Sequence, residues 1–149
     1  MASIYYFGYA SNLDQSTLVG RLVNPPKFTG IGILTGYGFR FNHPNPDGSA
    51  RANIVESANE NVYGALYQIN EKDKKHFLTS EKNYDFIPVN IITKEGTIRA
   101  FTFRSSQNVD KIFPHKDYIN TIIKGGKAIG IPNTYLSSIL NRKPVQVLF

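Results

Sequence analysis

The chain has no cysteine and no tryptophan, and a single methionine, in 149 residues. Without cysteine there is no disulfide framework, no zinc–cysteine or iron–sulfur site and no thiol nucleophile. Without tryptophan, large apolar area has to come from the ten Phe and nine Tyr. No stretch approaches the ~18 consecutive apolar residues of a membrane span. The start, Met1-Ala2-Ser3-Ile4-Tyr5-Tyr6-Phe7, has no basic segment ahead of a sustained apolar one. A secretory signal is therefore not expected, and a cytoplasmic location is. No run of five cations occurs, which argues against a disordered nucleic-acid arm. The phosphate-loop patterns G-x-x-x-x-G-K-[ST] and G-x-G-x-x-G ahead of a helix are absent, as is the G-x-S-x-G elbow of hydrolases. His43, His76 and His115 do not share the i, i+4 spacing of a helical metal pair, and no acidic cluster joins them. No metal site and no cofactor are expected.

What is present is enough for one packed core. Hydrophobic residues make up 41% of the chain and charged residues 19%, consistent with a single domain over 1–149. The formal charge is +6, with 17 Lys and Arg against 11 Asp and Glu. The excess leans toward the C-terminus, where Lys111, Lys116, Lys124, Lys127, Arg142 and Lys143 face only Asp110 and Asp117. Such a balance either keeps a surface soluble or attracts an anionic partner.

Strand-like segments dominate the middle of the chain. Ile4–Phe7 is short and aromatic; Phe28–Thr35 alternates with glycines; Phe39–Phe41 and Ala52–Val55 flank a Pro/Asn/Gly loop, His43–Ser49. Val62–Ile69 and Phe86–Ile92 follow, the second with Pro88 marking an edge or bulge. Ile98–Phe103 has a clear period of two, joined to the preceding strand by a tight turn at Glu95-Gly96. Helical spacing is found in Asp14–Leu22, capped by Ser11 or Asn12, and in Glu71–Ser80. It recurs in Tyr118–Lys124, ended by Gly125-Gly126, and in Asn133–Leu140 after Pro132. The balance is α+β. Short connections between consecutive strands predict a mainly antiparallel sheet, open or curled into a barrel, with three or four helices.

Two segments could carry chemistry. In Tyr5–Asp14 an aromatic strand runs into Gly8, Ala10, Ser11 and Asn12 and then a helix. Successive N–H groups at such a turn can hold a carboxylate, and small residues let a ligand approach; a buried edge strand with an ordinary cap has the same pattern. Glu81 closes the Glu71–Ser80 helix ahead of a strand. It is either a carboxylate directed into a sheet mouth, where desolvation would raise its pKa and make it a usable base, or a solvated helix-end residue paired with Lys75 or Lys82.

Four blocks of sequence together resemble the γ-glutamylcyclotransferase family, over residues 5 to about 140 and in the family's order. Tyr6-Phe7-Gly8-Tyr9-Ala10-Ser11-Asn12-Leu13 resembles its Tyr-Gly-Ser-Asn-Leu signature, and Val62-Tyr63-Gly64-Ala65-Leu66-Tyr67 its central V-x-G-x-x-Y strand. Leu78-Thr79-Ser80-Glu81-Lys82-Asn83-Tyr84 with Ile87–Ile91 is similar to its L-D-x-x-E-G…Y…V-x-V segment. Tyr118–Gly126 with Gly130-Ile131-Pro132 and Tyr135 is similar to its C-terminal block. This chain has Ala10 for a Gly, Thr79 for the Asp, and Lys82-Asn83 for the Gly after the Glu.

The resemblance implies a small mixed β-barrel flanked by helices. It implies a reaction in which the α-amine of a γ-glutamyl group attacks its own γ-amide, releasing 5-oxoproline and an amine or amino acid. The nucleophile then belongs to a small-molecule γ-glutamyl substrate, which accords with a chain that has no cysteine. Carried over by position, Glu81 is the catalytic acid/base. Tyr6, Phe7, Gly8, Tyr9, Ala10, Ser11 and Asn12 form the substrate-binding loop, with Tyr84 and Tyr118 as further substrate-binding residues. A homodimer is compatible with this reading, and neither a membrane nor nucleic acid is expected as partner. Two alternatives stay beside it. One is a non-catalytic binding domain on the same fold. The other is a basic barrel for single-stranded nucleic acid, motivated by Phe39-Arg40-Phe41 and Arg99–Arg104, although that alternation with Arg suits phenylalanines facing a core.

Overall fold

The computed structural model describes residues 2–142; Met1 and residues 143–149, including Lys143 of the basic stretch, lie outside the described residues. Strands β1 (Ser3–Gly8), β2 (Lys27–Pro44), β3 (Ala50–Asn70), β4 (Asp85–Thr93) and β5 (Gly96–Arg104) close into a barrel in the order β1-β3-β2-β4-β5. Helices α1 (Gln15–Val19), α2 (Lys74–Ser80), α3 (Lys116–Ile129) and α4 (Asn133–Arg142) flank it. The expected α+β barrel is what forms. Its mixed character comes from one parallel contact, β1 on β5 through Tyr6 and Phe101; the remaining pairings are antiparallel.

The sequence suggested two separate strands on each side of the Pro/Asn loop. The structure joins each pair into one long bent strand. β2 stays continuous by taking register shifts at Phe28/Gly30, Thr35/Tyr37 and Phe41/His43, and Gly30 and Gly36 adopt the positive φ that such irregularities favour. The loop between β2 and β3 closes through the Asp47 carboxylate, which accepts from the Ser49 N–H at 2.9 Å and the Ser49 hydroxyl at 2.6 Å, an Asx-type turn. Pro88 sits where β4 touches β2 at one register position only, Ile33 with Ile92, so no ladder bond on that side is lost. The β4–β5 turn is Lys94-Glu95, and Gly96 (φ 113°) opens the next strand.

Three helices differ from expectation. The segment Glu71–Ser80 opens as a 3₁₀ turn, Glu71–Asp73, before α2. α1 spans only Gln15–Val19, and its cap is Asp14, whose carboxylate accepts from the Thr17 N–H at 3.2 Å; Ser11 and Asn12 instead lie in a single 3₁₀ turn, Ser11–Leu13. α3 does not stop at Lys124. It runs through Gly125-Gly126 to Ile129 and ends at Gly130, which takes the left-handed conformation. The two glycines are buried contact points, not breakers. A Cβ on Gly125 would lie 2.5 Å from the Asp14 nitrogen and 2.6 Å from the Leu13 carbonyl carbon. α3 is thus packed directly on the backbone of the 3₁₀ turn.

Phenylalanine and tyrosine supply the core, as composition demanded: Phe7, Phe39, Tyr67 and Phe77 are among the largest fully buried side chains. The Phe7 ring lies against Gly64, where a Cβ would come within 2.6 Å of it, so the glycine of the Val62–Tyr67 block makes room for an aromatic of β1.

Candidate active site

β1 pairs only with residues 65–70 of β3. The first residues of β3 therefore carry backbone groups that β1 leaves unpaired. At Ala52 tyrosine hydroxyls satisfy them: its N–H donates to the Tyr118 hydroxyl oxygen at 3.0 Å, and its carbonyl accepts from the Tyr84 hydroxyl at 2.6 Å. This brings the start of α3 and the segment after α2 together beside β3. The 3₁₀ turn at Ser11–Leu13 closes the remaining side. The result is a narrow cleft with a cavity of about 30 Å³, well below the ~300–1,000 Å³ usual for small-molecule sites, so a substrate must widen it on entering.

Glu81 forms its floor. The residue terminates α2, is 5% exposed, and is the only carboxylate lining the cleft among the described residues. Neither Lys75 nor Lys82 is its partner. Oε1 accepts from Arg21 Nη1 at 3.0 Å and Oε2 from Arg51 Nη2 at 2.8 Å. Arg21 Nη1 also donates to Asn12 Oδ1 at 2.7 Å and Ser11 Oγ at 3.1 Å, so one guanidinium ties the signature turn to the carboxylate. Asn12 in turn donates from Nδ2 to the Tyr6 hydroxyl at 2.8 Å. Arg51 stands over the Tyr84 ring at 5.3 Å, a cation–π arrangement. Burial pulls the Arg51 guanidinium down, but Glu81, with Tyr118 and Tyr84, more than offsets this and holds it above its ordinary value.

The tyrosines of the cleft are kept neutral. Burial is the first cause pushing Tyr6, Tyr9, Tyr84 and Tyr118 above the usual 10.0; the Asn12 hydrogen bond opposes it at Tyr6, and Arg51 opposes it at Tyr84 and Tyr118. They can donate hydrogen bonds at neutral pH without acting as bases. Tyr9 spends its hydroxyl on the Phe103 carbonyl at 2.7 Å. Behind Tyr84, the His43 ring lies tilted against it at 4.4 Å and shares a 2.6 Å hydrogen bond with Ser105 Oγ.

Of the residues singled out from sequence, Tyr6, Tyr9, Ala10, Ser11, Asn12, Glu81, Tyr84 and Tyr118 line this cleft, while Phe7 and Gly8 do not. Phe7 is wholly buried under the barrel wall. At Gly8 a Cβ would sit 3.2 Å from both Asn12 Cβ and the Tyr6 ring, so this glycine lets the turn fold back on β1. Ala10, where the signature has Gly, has a negative φ of −128° and so lies outside the left-handed region that favours glycine, and neither Lys82 nor Asn83 has positive φ. Sequence reading did not single out Arg21 or Arg51. Their one local signal is isolation, since each is the sole charge in its stretch, Gln15–Pro26 and Gly48–Val55 respectively.

The phenylalanines that suggested a nucleic-acid platform are turned elsewhere. Phe39, Phe41 and Phe103 are buried, and Phe101 stacks on Phe86 at 5.2 Å. Among the described residues there is no group of three or more potential metal ligands, and no helix is long and apolar enough to cross a membrane.

Residues 61–139 match the model of the AIG2-like family. No curated protein matches the chain. A solved structure described as a gamma-glutamyl cyclotransferase is 20% identical, with 99% of this chain and 94% of that one covered and a TM-score of 0.83. An uncharacterized protein from Homo sapiens is 22% identical over 100% and 93% of the two chains, with a TM-score of 0.87. YkqA from Bacillus subtilis is 22% identical over 97% of this chain and 56% of its own, with a TM-score of 0.82. At these identities the likeness is one of fold.

Proposed function

The chain belongs to the AIG2-like family and shares the fold of a protein described as a gamma-glutamyl cyclotransferase; from this premise we propose that it is a γ-glutamylcyclotransferase-like enzyme acting on a small γ-glutamyl amide, with Glu81 as its acid/base. The observation that carries the reading is a single buried carboxylate facing the signature turn across a small cleft.

The chemistry asks for little more. The substrate's α-ammonium gives a proton to Glu81. The freed amine attacks the γ-carbonyl carbon, forming the ring C–N bond. The tetrahedral centre collapses, the bond to the leaving nitrogen breaks, and Glu81 returns its proton to that nitrogen; the ring nitrogen sheds its remaining extra proton, which the departing amine takes up to leave as an ammonium. 5-Oxoproline and an amine leave, with no water consumed. Folding the glutamyl chain so that amine and carbonyl meet is an orientation problem, and oriented intramolecular attack can supply several kcal/mol of the barrier. A positioned acid/base adds ~10²–10⁴-fold. The neutral hydroxyls of Tyr6 and Tyr118, which accept from Asn12 and Ala52 and keep their own hydrogens, and the N–H groups that open the turn at Ser11 and Asn12, are the donors available to substrate oxygens, whereas Tyr84 commits its hydroxyl hydrogen to the Ala52 carbonyl.

The test is 5-oxoproline release from a panel of γ-glutamyl amino acids and amines. One or more members should be turned over, and Glu81→Gln should lower that rate by ~10²-fold or more with the far-ultraviolet spectrum retained. Full turnover in Glu81→Gln refutes the acid/base assignment. Release from no member of the panel leaves the non-catalytic binding domain as the better reading.

A further inference from the structure

Glu81 has two guanidinium partners, and they are not equivalent. Arg21 uses Nη1 on three acceptors, Glu81 Oε1, Asn12 Oδ1 and Ser11 Oγ. It fixes the carboxylate relative to the turn, and its guanidinium does not line the cleft. Arg51 does line it. Of the five N–H donors of a guanidinium, it gives one to Glu81 Oε2. Its Cζ lies over the Tyr84 ring at 5.3 Å and the Tyr118 hydroxyl is a hydrogen-bonding neighbour, so it keeps support when it parts from Glu81.

A γ-glutamyl group brings its own carboxylate to this place. Its α-carboxylate and α-amine share one carbon. If the amine must reach Glu81 to lose a proton, the carboxylate arrives within the same few ångströms, where the cation lining the cleft is Arg51. We propose that Arg51 is the receptor for the α-carboxylate of the γ-glutamyl group, and that it takes this carboxylate in exchange for Glu81 Oε2. The inference rests on the proposed substrate class and adds to it a residue and an order of events. Before binding, Arg51 and Arg21 hold Glu81 between them. On binding, the planar fork of Arg51 turns to the substrate carboxylate, which it can grip through two parallel N–H donors. Glu81 stays anchored through Arg21 and has one oxygen released toward the α-ammonium. Selection for an α-carboxylate and release of the base become a single motion of one side chain.

Binding of the product ring tests this without turnover. 5-Oxoproline carries the carboxylate; 2-pyrrolidinone is the same ring without it. By calorimetry the wild type should bind 5-oxoproline at least ~10-fold more tightly than 2-pyrrolidinone, the gap expected of a charge-assisted pair. Arg51→Gln should close that gap by weakening 5-oxoproline alone. Arg51→Lys should keep part of it and Arg21→Gln most of it, so a variant that merely loosens the fold is recognised by losing both ligands together. Glu81→Gln should bind 5-oxoproline several-fold more tightly than wild type, because the competing carboxylate is gone. A gap that survives in Arg51→Gln, equal or no binding of the two rings by wild type, or unchanged affinity in Glu81→Gln overturns the proposal. Absence of turnover with the gap intact overturns the proposed reaction instead and leaves Arg51 as a carboxylate receptor.

Discussion

Gly125→Ala is a substitution for which helix propensity and packing predict opposite signs. Gly125 lies inside α3, and replacing a helical glycine by alanine ordinarily stabilises by about 1 kcal/mol. In this protein the added methyl would lie 2.5 Å from the Asp14 nitrogen, 2.6 Å from the Leu13 carbonyl carbon and 2.9 Å from Asp14 Cα. All three are backbone atoms, so no rotamer change relieves them. To recover an ordinary 3.4 Å contact, helix and turn must separate by about 0.9 Å. Overpacking of this kind costs ~1–3 kcal/mol, which outweighs the propensity gain, and for a chain of this length lowers Tm by roughly 2–4 °C per kcal/mol. The turn that moves carries Ser11 and Asn12, and a 1 Å misplacement at a reaction site can cost ~10²-fold in rate. Gly125→Ala should therefore melt lower than wild type and lose most of its 5-oxoproline release. Gly126→Ala is the control. Its Cβ would meet the end of the buried Leu136 side chain at 2.7 Å and no backbone of the turn, so the change should disturb α4 packing and lower Tm while leaving 5-oxoproline release near wild type. Thermal unfolding followed by circular dichroism, paired with the turnover assay, reads both. A Gly125→Ala protein as stable and as active as wild type would refute the idea that α3 buttresses the turn by direct backbone contact.

Two further expectations follow from charge. Burial, and Arg51 after it, hold His43 below its ordinary 6.5; the stability it contributes is present above the unfolded value and lost as pH falls through the lower folded one, so unfolding curves at pH about 7 and about 5 should differ less for His43→Gln than for wild type, and equal slopes would reject this. The +6 net charge should draw anionic γ-glutamyl substrates, so kcat/KM should fall as added salt shortens the Debye length to ~10 Å near 0.1 M; a flat salt profile would return the surface charge to a role in solubility.

The barrel was legible because alternation of Phe, Ile and Val with polar residues survives in the sequence wherever one strand face is buried. The continuity of β2 and β3 was not, because a bulge lets a strand change direction without breaking, and Gly36 in a bulge reads like Gly in a loop. The end of α3 was misplaced for a related reason. Gly125-Gly126 looks like a stop signal in one dimension and is a contact surface in three. Glu81 and the turn from Ala10 to Asn12 were visible, since small residues and a helix-end carboxylate have local patterns and the family blocks named them. The arginines had no such pattern. Arg21 is 60 residues from Glu81 and Arg51 is 30 from it, and each meets it only because barrel closure places β3, the 3₁₀ turn and the end of α2 around one cleft.

That closure also relocates the meaning of the charge. Counted along the chain, the basic excess belonged to the C-terminal stretch, yet Lys111, Lys116, Lys124 and Lys127 are all exposed, where salt screens them and each contributes only to a diffuse field. At the cleft, Glu81 is held by two guanidiniums, Arg51 in the lining and Arg21 behind it, all partly or wholly withdrawn from water. The local balance is +1 over a few ångströms, in a setting where Coulomb attraction is several times stronger than in bulk water. An incoming α-carboxylate brings that balance to zero, whereas a neutral amide leaves a cation half-satisfied. Preference for an anionic γ-glutamyl group is in this view a property of three side chains, two of them cations out of the 17 in the chain; removing the surface lysines would change how fast substrate arrives, and removing Arg51 would change which substrate is kept.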